Sequence, residues 1–293
     1  MDTMEDERNM KRIMLFIATN LALMMVLSIV CTIFGLDPRS TLGMVVLALI
    51  FGMGGAFISL LLSKSIAKWS TKATRIDGTE GETEAWLINT VEQLAAQAGI
   101  KTPETAIYPG DPNAFATGAF KNSALVAVSD GLLRNMDRTE IRAVLGHEIG
   151  HVANGDMVTM TLLQGVLNAA VLLLSRMAGL AVDRAVFGTR RGVGMGYYLT
   201  RMVMQLLLGI LASMVVMAYS RRREFAADAS SARYLGSSSD MIRALQRLGK
   251  MTPGELPDSI KAFGIAAPKS WARLFSSHPP LEDRIERLRR FTG

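Results

Sequence analysis

Cysteine and histidine are scarce in this chain, which has one cysteine, Cys31, and three histidines among its 293 residues. A single cysteine excludes an intramolecular disulfide, which suits a reducing cytoplasmic domain, and leaves no cysteine for a metal site. Cys31 also lies inside an apolar run, and no G-x-S-x-G motif is present. Catalysis by a cysteine or serine nucleophile is therefore not indicated.

Charged residues are also few, at 20% of the chain, whereas 49% of the residues are hydrophobic. Two charge-free runs, Ile13 to Phe34 and Thr41 to Leu62, are each long enough to cross ~30 Å of hydrocarbon. Only a short turn separates them, so residues 1–62 are predicted to form an N-terminal transmembrane hairpin. The first run is longer than the hydrophobic region of a cleavable signal peptide, and we expect it to stay attached.

The basic residues are distributed asymmetrically around this hairpin. The connecting turn contains Arg39 alone, whereas the two outer ends carry Arg8, Lys11, Arg12, Lys64, Lys68, Lys72 and Arg75. The positive-inside rule therefore predicts that the two outer ends of this hairpin lie in the cytoplasm. The net charge of +6 is interpreted as facing anionic lipid, with no nucleic acid as a partner.

A second pair of apolar runs, Met157 to Ser175 and Met202 to Tyr219, predicts another hydrophobic hairpin over residues 157–219. If both runs cross the bilayer, the arginine-containing linker between them is exported, against the positive-inside tendency. If neither crosses fully, they form a re-entrant or membrane-apposed pair. In both cases the chain returns to the side that it left.

Two of the three histidines belong to the motif His147-Glu148-Ile149-Gly150-His151, which has the pattern H-E-x-x-H. Positions four apart on a helix lie one above the other, so both imidazoles can bind one metal ion with Glu148 beside it. This arrangement is typical of zinc peptidases. The alternative is a chance occurrence on an amphipathic helix, so the context has to supply a helix and a third ligand.

The context predicts a helix from about Arg138 to Ala153. Asp137 and Glu140 form an Asp version of the capping box, and apolar residues then recur at helical spacing. Gly155 ends the helix, and Asp156 is placed either to act near the site or to close the turn. The turn-closing role is the favoured interpretation.

A third ligand is not close in sequence, because no histidine follows at the metzincin spacing. Beyond the second hairpin, Glu224 and Asp228 are four residues apart and share a helix face. Glu224 is the candidate third ligand. An equally plain interpretation is a solvated glutamate beside the three arginines of residues 221–223.

The order of these segments resembles that of the membrane zinc metallopeptidases of the CAAX-prenyl-endopeptidase superfamily, and within it the bacterial heat-shock members. The resemblance rests on H-E-I-G-H, a hydrophobic hairpin, E-F-A-A-D at 224–228, and the segments 113–118, 126–133 and 277–280 with Arg284. It implies that His147, His151 and Glu224 bind one zinc ion per subunit and that Glu148 is the catalytic base. It also matches Asp228 to an acidic residue that orients a ligand histidine.

His278 is a candidate hydrogen-bond donor to the tetrahedral oxyanion, the alternative being a turn residue before two prolines. Short strands are predicted at Thr105 to Tyr108 and Ala124 to Val128, with an edge strand between them from Asn113 to Phe120. An extended substrate could pair with that edge beside the zinc, through Asn113, Ala114, Phe115 and Ala116.

The predicted fold is mainly α: a multi-pass membrane protein with a cytosolic gluzincin-type zinc peptidase domain of helices and a small sheet, formed by residues 63–156 and 220–293. The resemblance implies a multi-pass protein of a bacterial inner membrane, with both termini and the active site in the cytoplasm. It also implies endoproteolysis of misfolded or damaged membrane proteins at the cytoplasmic face, in contact with membrane lipid. The alternatives are site-specific maturation and an inactive zinc-binding scaffold. A zinc transporter fits poorly, because it needs ionisable ligands inside the membrane, and the apolar runs contain no histidine or acidic residue but essentially Asn20, Gln164 and Asn168.

Overall fold

The computed structural model describes residues 40–189, 192–251 and 278–291, together with positions 29, 32, 33 and 35. The predicted first apolar run therefore lies largely outside the described residues, as does Ser277. Within them, helices predominate and one small sheet is present, which confirms the predicted fold class.

The elements follow one another along the chain as helices α1 to α8 and strands β1 to β4. In order they are α1 (Thr41–Thr71), β1 (Thr74–Arg75), α2 (Glu82–Gln97), β2 (Glu104–Tyr108), β3 (Ala114–Thr117), a 3-10 turn (Lys121–Ser123), β4 (Leu125–Ser129), α3 (Asp130–Asn135), α4 (Arg138–Asn154), α5 (Asp156–Ala185), α6 (Met195–Leu235), α7 (Ser239–Met251) and α8 (Leu281–Arg289).

Three of these helices, α1, α5 and α6, are long and apolar enough to cross a membrane. They pack together closely: a Cβ added to Gly52 in α1 would lie 2.6 Å from the Cα atom of Ala169 in α5. All three helices continue beyond the apolar runs seen in the sequence, and α6 passes through the predicted boundary at residue 219 without interruption. Arginines at 221–223 are good helix formers, so the end of an apolar run is not the end of the helix.

The sheet has the strand order β1-β2-β4-β3, with β2 and β4 parallel and the outer pairs antiparallel. The two predicted central strands are confirmed, and β3 lies at an edge of the sheet as predicted. This edge strand is shorter than predicted and ends at Thr117. Gly118 follows with a φ of +143° and lies against the Ser123 carbonyl, a backbone conformation that ends the strand.

The core of the peptidase region lies between the sheet and helices α2, α4, α7 and α8. Helix α2 buries one face there, including Leu87, Val91 and Leu94, as its amphipathic pattern predicts. Burying each such side chain contributes about 1.5–3 kcal/mol, so this core fixes α4 against the sheet.

A charged contact joins the apolar helices to this region. Glu104 at the start of β2 accepts from Lys64 at 2.6 Å and also pairs with Lys68, both of them on α1 just beyond its apolar run. The basic end of α1 therefore lies on the same side as the peptidase sheet.

Candidate metal centre

Helix α4 carries the H-E-x-x-H motif, and its first turn is fixed by the predicted capping box. The Asp137 side chain accepts from the backbone N–H groups of Thr139 and Glu140 at 2.8 Å, and Glu140 accepts from the Asp137 N–H at 3.1 Å. The helix ends at Gly155, which adopts the left-handed conformation with a φ of 70°. His147 and His151 lie one turn apart on the buried face of this helix.

Two glycines of α4 allow α6 to cross it at close range. A Cβ on Gly146 would lie 2.8 Å from Oγ of Ser231, and one on Gly150 would lie 2.9 Å from Cβ of Ser230. Ser231 also donates to the Ala143 carbonyl at 2.7 Å, which fixes the crossing. The sequence analysis missed this role of the glycines, although their spacing of four residues on the motif helix was visible.

This crossing brings Glu224 of α6 to the two histidines. Its Oε1 atom lies 3.3 Å from Nε2 of His151, its Oε2 atom lies 3.5 Å from Nε2 of His147, and the two Nε2 atoms are 3.1 Å apart. Ligand bonds of about 2.0–2.1 Å in a tetrahedral site place neighbouring ligand atoms about 3.3 Å apart. These three side chains therefore have the spacing of ligands around one small cation.

The hydrogen bonds of Glu224 and the histidines also fit a cation at this point. Glu224 is 1% exposed, and its Oε1 atom has no hydrogen-bond partner among the described residues. A buried carboxylate oxygen without a donor is costly unless a cation is bound there. The three residues also form the group of His, Cys, Asp and Glu side chains that could hold a metal ion within the described part of the chain.

Each histidine is held through its other ring nitrogen by a buried carboxylate. Nδ1 of His147 lies 2.9 Å from Asp228, and Nδ1 of His151 lies 2.6 Å from Asp156. An Nδ1–H that donates to a carboxylate leaves the Nε2 lone pair free for a metal. Asp156 therefore contributes to the site as well as beginning α5, and the favoured interpretation from sequence, that it closes the turn, was incomplete.

The pKa of His147 reflects this surrounding. Burial disfavours the imidazolium, but hydrogen bonds to Asp228 and Glu224 outweigh burial and raise the pKa of His147 to about 9. The two carboxylates thus create a potential that favours a positive charge at this ring, which is also the potential that attracts a metal cation.

Arg284 of α8 binds the carboxylate of Asp228. It is 7% exposed and donates to both oxygens of Asp228, at 2.8 Å from Nε and 2.6 Å from Nη2. Burial alone would raise the pKa of Asp228, but Arg284 and His147 outweigh it and lower that pKa. The bidentate pair keeps Asp228 ionised and fixed in orientation.

The two remaining predicted side chains lie beside the cluster. His278 contacts the third candidate ligand directly, with its Nδ1 atom 2.9 Å from Oε2 of Glu224. Glu148 is half-buried, and it lies close enough to Tyr108 that burial and then the Glu148 charge raise the pKa of Tyr108 to about 12.

The comparison with protein families adds an independent observation. The model of peptidase family M48 matches residues 82–292, which include every side chain of the cluster. The chain belongs to peptidase family M48.

Relatives of this M48 peptidase are similar over nearly their whole length. The protease HtpX homologue of Bordetella petrii is 53% identical over 287 residues, covering 95% of this chain and 98% of the relative. That of Paracidovorax citrulli is 54% identical over 293 residues, covering 97% and 100%. These matches confirm the resemblance described above and show a metallopeptidase, a hydrolase that acts on protein substrates.

A solved structure shows the same fold. The crystal structure of S. mikatae Ste24p matches 92% of this chain with a TM-score of 0.66 at 20% identity. The M48 peptidase spans 63% of that longer chain. Together with the three apolar helices, the HtpX and Ste24p matches identify an integral membrane protein.

In this M48 peptidase a cleft of about 860 Å³ opens at the cluster. Its lining includes His147, Glu148 and Glu224, and also Asn113 and Ala114 at the start of β3. The other two predicted substrate-strand residues do not line it: Phe115 packs on the Tyr108 ring at 5.3 Å, and Ala116 is 8% exposed. The beginning of the edge strand is thus the part of β3 that borders the cleft.

Proposed function

We propose that this protein is a zinc endopeptidase of a bacterial inner membrane that cleaves misfolded or damaged membrane proteins at the cytoplasmic face, as part of protein quality control and the stress response. The observation that carries this proposal is the cluster of Nε2 of His147, Nε2 of His151 and the Glu224 carboxylate, with spacings of 3.1–3.5 Å.

The donor set favours zinc as the metal. Two imidazole nitrogens and one carboxylate oxygen are a common protein ligand set of catalytic zinc sites, which leave a further position open. Oxygen-rich sites for magnesium or calcium have a different composition. When bound, zinc lowers the pKa of a water molecule toward ~7 and polarises the substrate carbonyl.

Glu148 is the proposed general base. It follows His147 directly on α4, so the helix directs it beside the ligand face, and it lines the cleft. Its carboxylate accepts a proton from the attacking water and delivers that proton to the leaving amine. Asp228 and Asp156 hold the two histidines with Nε2 toward the cleft, and Arg284 fixes Asp228.

His278 has two proposed roles that its position supports. Its ring donates to Glu224, which orients the ligand carboxylate. Its side chain is also 63% exposed and lines the cleft, so it can hydrogen-bond to the oxyanion formed at the scissile carbonyl.

The edge strand β3 is the proposed substrate platform. Among the described residues β3 pairs with a strand along one edge only, that of β4. Ala114, its first residue, and the preceding Asn113 border the cleft beside Glu148. An extended peptide added to a strand edge is held through its backbone, so the sequence of the substrate matters little. Recognition of backbone suits a peptidase that removes many different damaged proteins.

The cytoplasmic location of the active site is supported by the contact of Glu104 with Lys64 and Lys68. The basic end of α1 follows the positive-inside rule only if that end, and the sheet bound to it, are cytoplasmic. A cysteine introduced at Gly192, in a Cys31→Ser background, reports the far end of the α5–α6 pair. Labelling from outside supports full spans for α5 and α6, and labelling only from inside would contradict them.

The decisive test of the function is Glu148→Gln in purified full-length protein. The variant should retain zinc, because the ligands are intact, and should cleave an unfolded membrane-protein substrate at least about 100-fold more slowly, as expected for loss of a general base. Glu92→Gln, which removes a charge from an exposed position on α2, is the matched control and should cleave normally.

Equal cleavage by Glu148→Gln and the parent would sink the mechanism, and absence of cleavage by the parent would favour the scaffold interpretation. Parental cleavage of one bond in one substrate, with no activity on other unfolded membrane proteins, would favour site-specific maturation.

A further inference from the structure

Three side-chain amides occur inside the apolar stretches of α5 and α6. They are Gln164, Asn168 and Gln205, and all three are exposed in the structure. None of them forms a hydrogen bond with another residue in the part of the chain that the structure describes. An unsatisfied polar group is unfavourable inside a bilayer, so a binding partner is expected to satisfy these amides.

The three amides face one groove. The groove has a volume of about 390 Å³, and Phe51 of α1 contributes to its lining. Gln164 and Asn168 lie one helical turn apart on its α5 wall, whereas Gln205, Gly209 and Ser213 form its α6 wall. The small residues on α6 allow another helix to approach, and the amides supply donors and acceptors to it.

The groove continues toward the active site along a single helix face. Ser213 and Met217 line the groove, and Glu224 follows on the unbroken helix α6. An α-helix turns by ~100° per residue, so Ser213, Met217 and Glu224 lie within about 40° of one another around the helix axis. Met217 lies about 10 Å from Glu224 along that axis. A segment bound in the groove therefore has its cytoplasmic end directed at the cluster of His147, His151 and Glu224.

We propose that this groove binds a transmembrane segment of a protein substrate that bears polar side chains within its apolar run. The proposal rests on the proposed function and on α5 and α6 lying in the bilayer, and it adds how a substrate is chosen. Transmembrane helices of assembled proteins bury their polar side chains against partner helices, whereas orphaned or damaged ones present them to lipid. Amides in the groove select the latter, and an acyl chain offers nothing to bond with them.

The test uses full-length protein in liposomes and two single-span substrates with the same cytoplasmic cleavage segment. One carries an asparagine at the centre of its span, and the other carries leucine there. The parent should show a higher kcat/KM for the asparagine substrate. Each interhelical amide bond in a membrane is worth about a threefold difference, so Gln164→Leu, Asn168→Leu and Gln205→Leu combined should lower that kcat/KM about 20- to 30-fold.

A matched control keeps the composition of α6 constant. The double change Gln205→Leu with Leu207→Gln moves one amide off the groove wall, because Leu207 is 51% exposed and lies outside the groove lining. It should lower the kcat/KM for the asparagine substrate about threefold, as Gln205→Leu alone does. All variants should cleave a soluble unfolded protein at the parental rate, which separates this proposal from the proposed function.

Two outcomes would overturn the proposal. The first is an unchanged preference for the asparagine substrate in the triple variant. The second is that Asn168→Cys, in a Cys31→Ser background, crosslinks only to a cysteine introduced in the chain's own run 13–34 and never to the substrate span. Failure of the parent to cleave the soluble unfolded protein would instead count against the proposed function.

Discussion

Replacement of Asp156 tests most directly whether the hydrogen bonds around the ligands set the affinity for metal. Asp156 is 5% exposed, and its carboxylate lies 2.6 Å from Nδ1 of His151. A charge-assisted bond of this kind contributes about 1.5–3 kcal/mol. Loss of such a partner of a ligand histidine typically lowers metal affinity about 10- to 100-fold.

We therefore expect Asp156→Asn, which can still accept a weaker bond from Nδ1–H, to bind zinc about 10-fold more weakly than the parent, and Asp156→Ala about 100-fold more weakly. The measurement is competition with a chromogenic chelator on the purified full-length protein, combined with the Tm of the metal-free form. Asp183→Asn is the matched control, because Asp183 is also a buried aspartate of α5 but caps the start of α6 far from the site.

A different result is expected if Asp156 acts only as an acidic residue in the first turn of α5. That role stabilises a helix by about 0.3–1 kcal/mol, and its loss would lower the Tm of the metal-free protein without changing zinc affinity. An Asp156→Ala variant that binds zinc within about twofold of the parent, by this assay, would refute the reasoning. A fall of equal size in Asp183→Asn would refute it too.

Three further results follow from the structure. Gly150→Ala should weaken zinc binding and lower the Tm, because overpacking against α6 costs about 1–3 kcal/mol and outweighs the ~1 kcal/mol gain in helix propensity. Gly54→Ala is the control: Gly54 has open space around it, so this change should leave the Tm unchanged or raise it. Removal of metal by a chelator should lower the Tm of the parent by several degrees but leave Glu224→Gln nearly unchanged, and an equal shift in both would contradict Glu224 as a ligand. Burial would raise the pKa of Glu104, but its two lysine partners lower it, so its contribution to stability is present above its ordinary pKa of 4.5 and is lost as the pH falls through the lowered value. The Tm difference between Glu104→Gln and the parent should therefore shrink on acidification, and a constant difference would argue against the pair.

Much of the fold could be predicted from local patterns. The capping box of Asp137 and Glu140, the two short central strands and the length of the last three apolar runs each depend on neighbours in sequence, and the structure confirms these elements. The ends of the long helices were not predictable in this way, because a change from apolar to basic residues marks a change of solvent and not a break in the backbone.

The candidate site was likewise predictable only where it depends on neighbours in sequence. The pair His147 and His151 is visible from its spacing, whereas the choice of Glu224 needed a resemblance, since it lies on α6, far along the chain from the motif helix. The contact of Asp156 with His151 depends on the left-handed turn at Gly155, which changes the direction of the chain between α4 and α5. A role for Arg284 depends on the packing of α8, which no local pattern encodes.

The unbroken course of α6 has a mechanical consequence for the metal cluster. One continuous helix contains both an apolar stretch long enough to cross a membrane and, further along, Glu224. A side-chain atom about 6 Å from the axis of a helix moves about 1 Å when the helix rotates by about 10°, whereas metal–ligand distances tolerate about 0.2 Å. Bilayer thickness changes the tilt of long apolar helices, so in a membrane the thickness of the bilayer around α6 would also alter the geometry of the cluster of His147, His151 and Glu224.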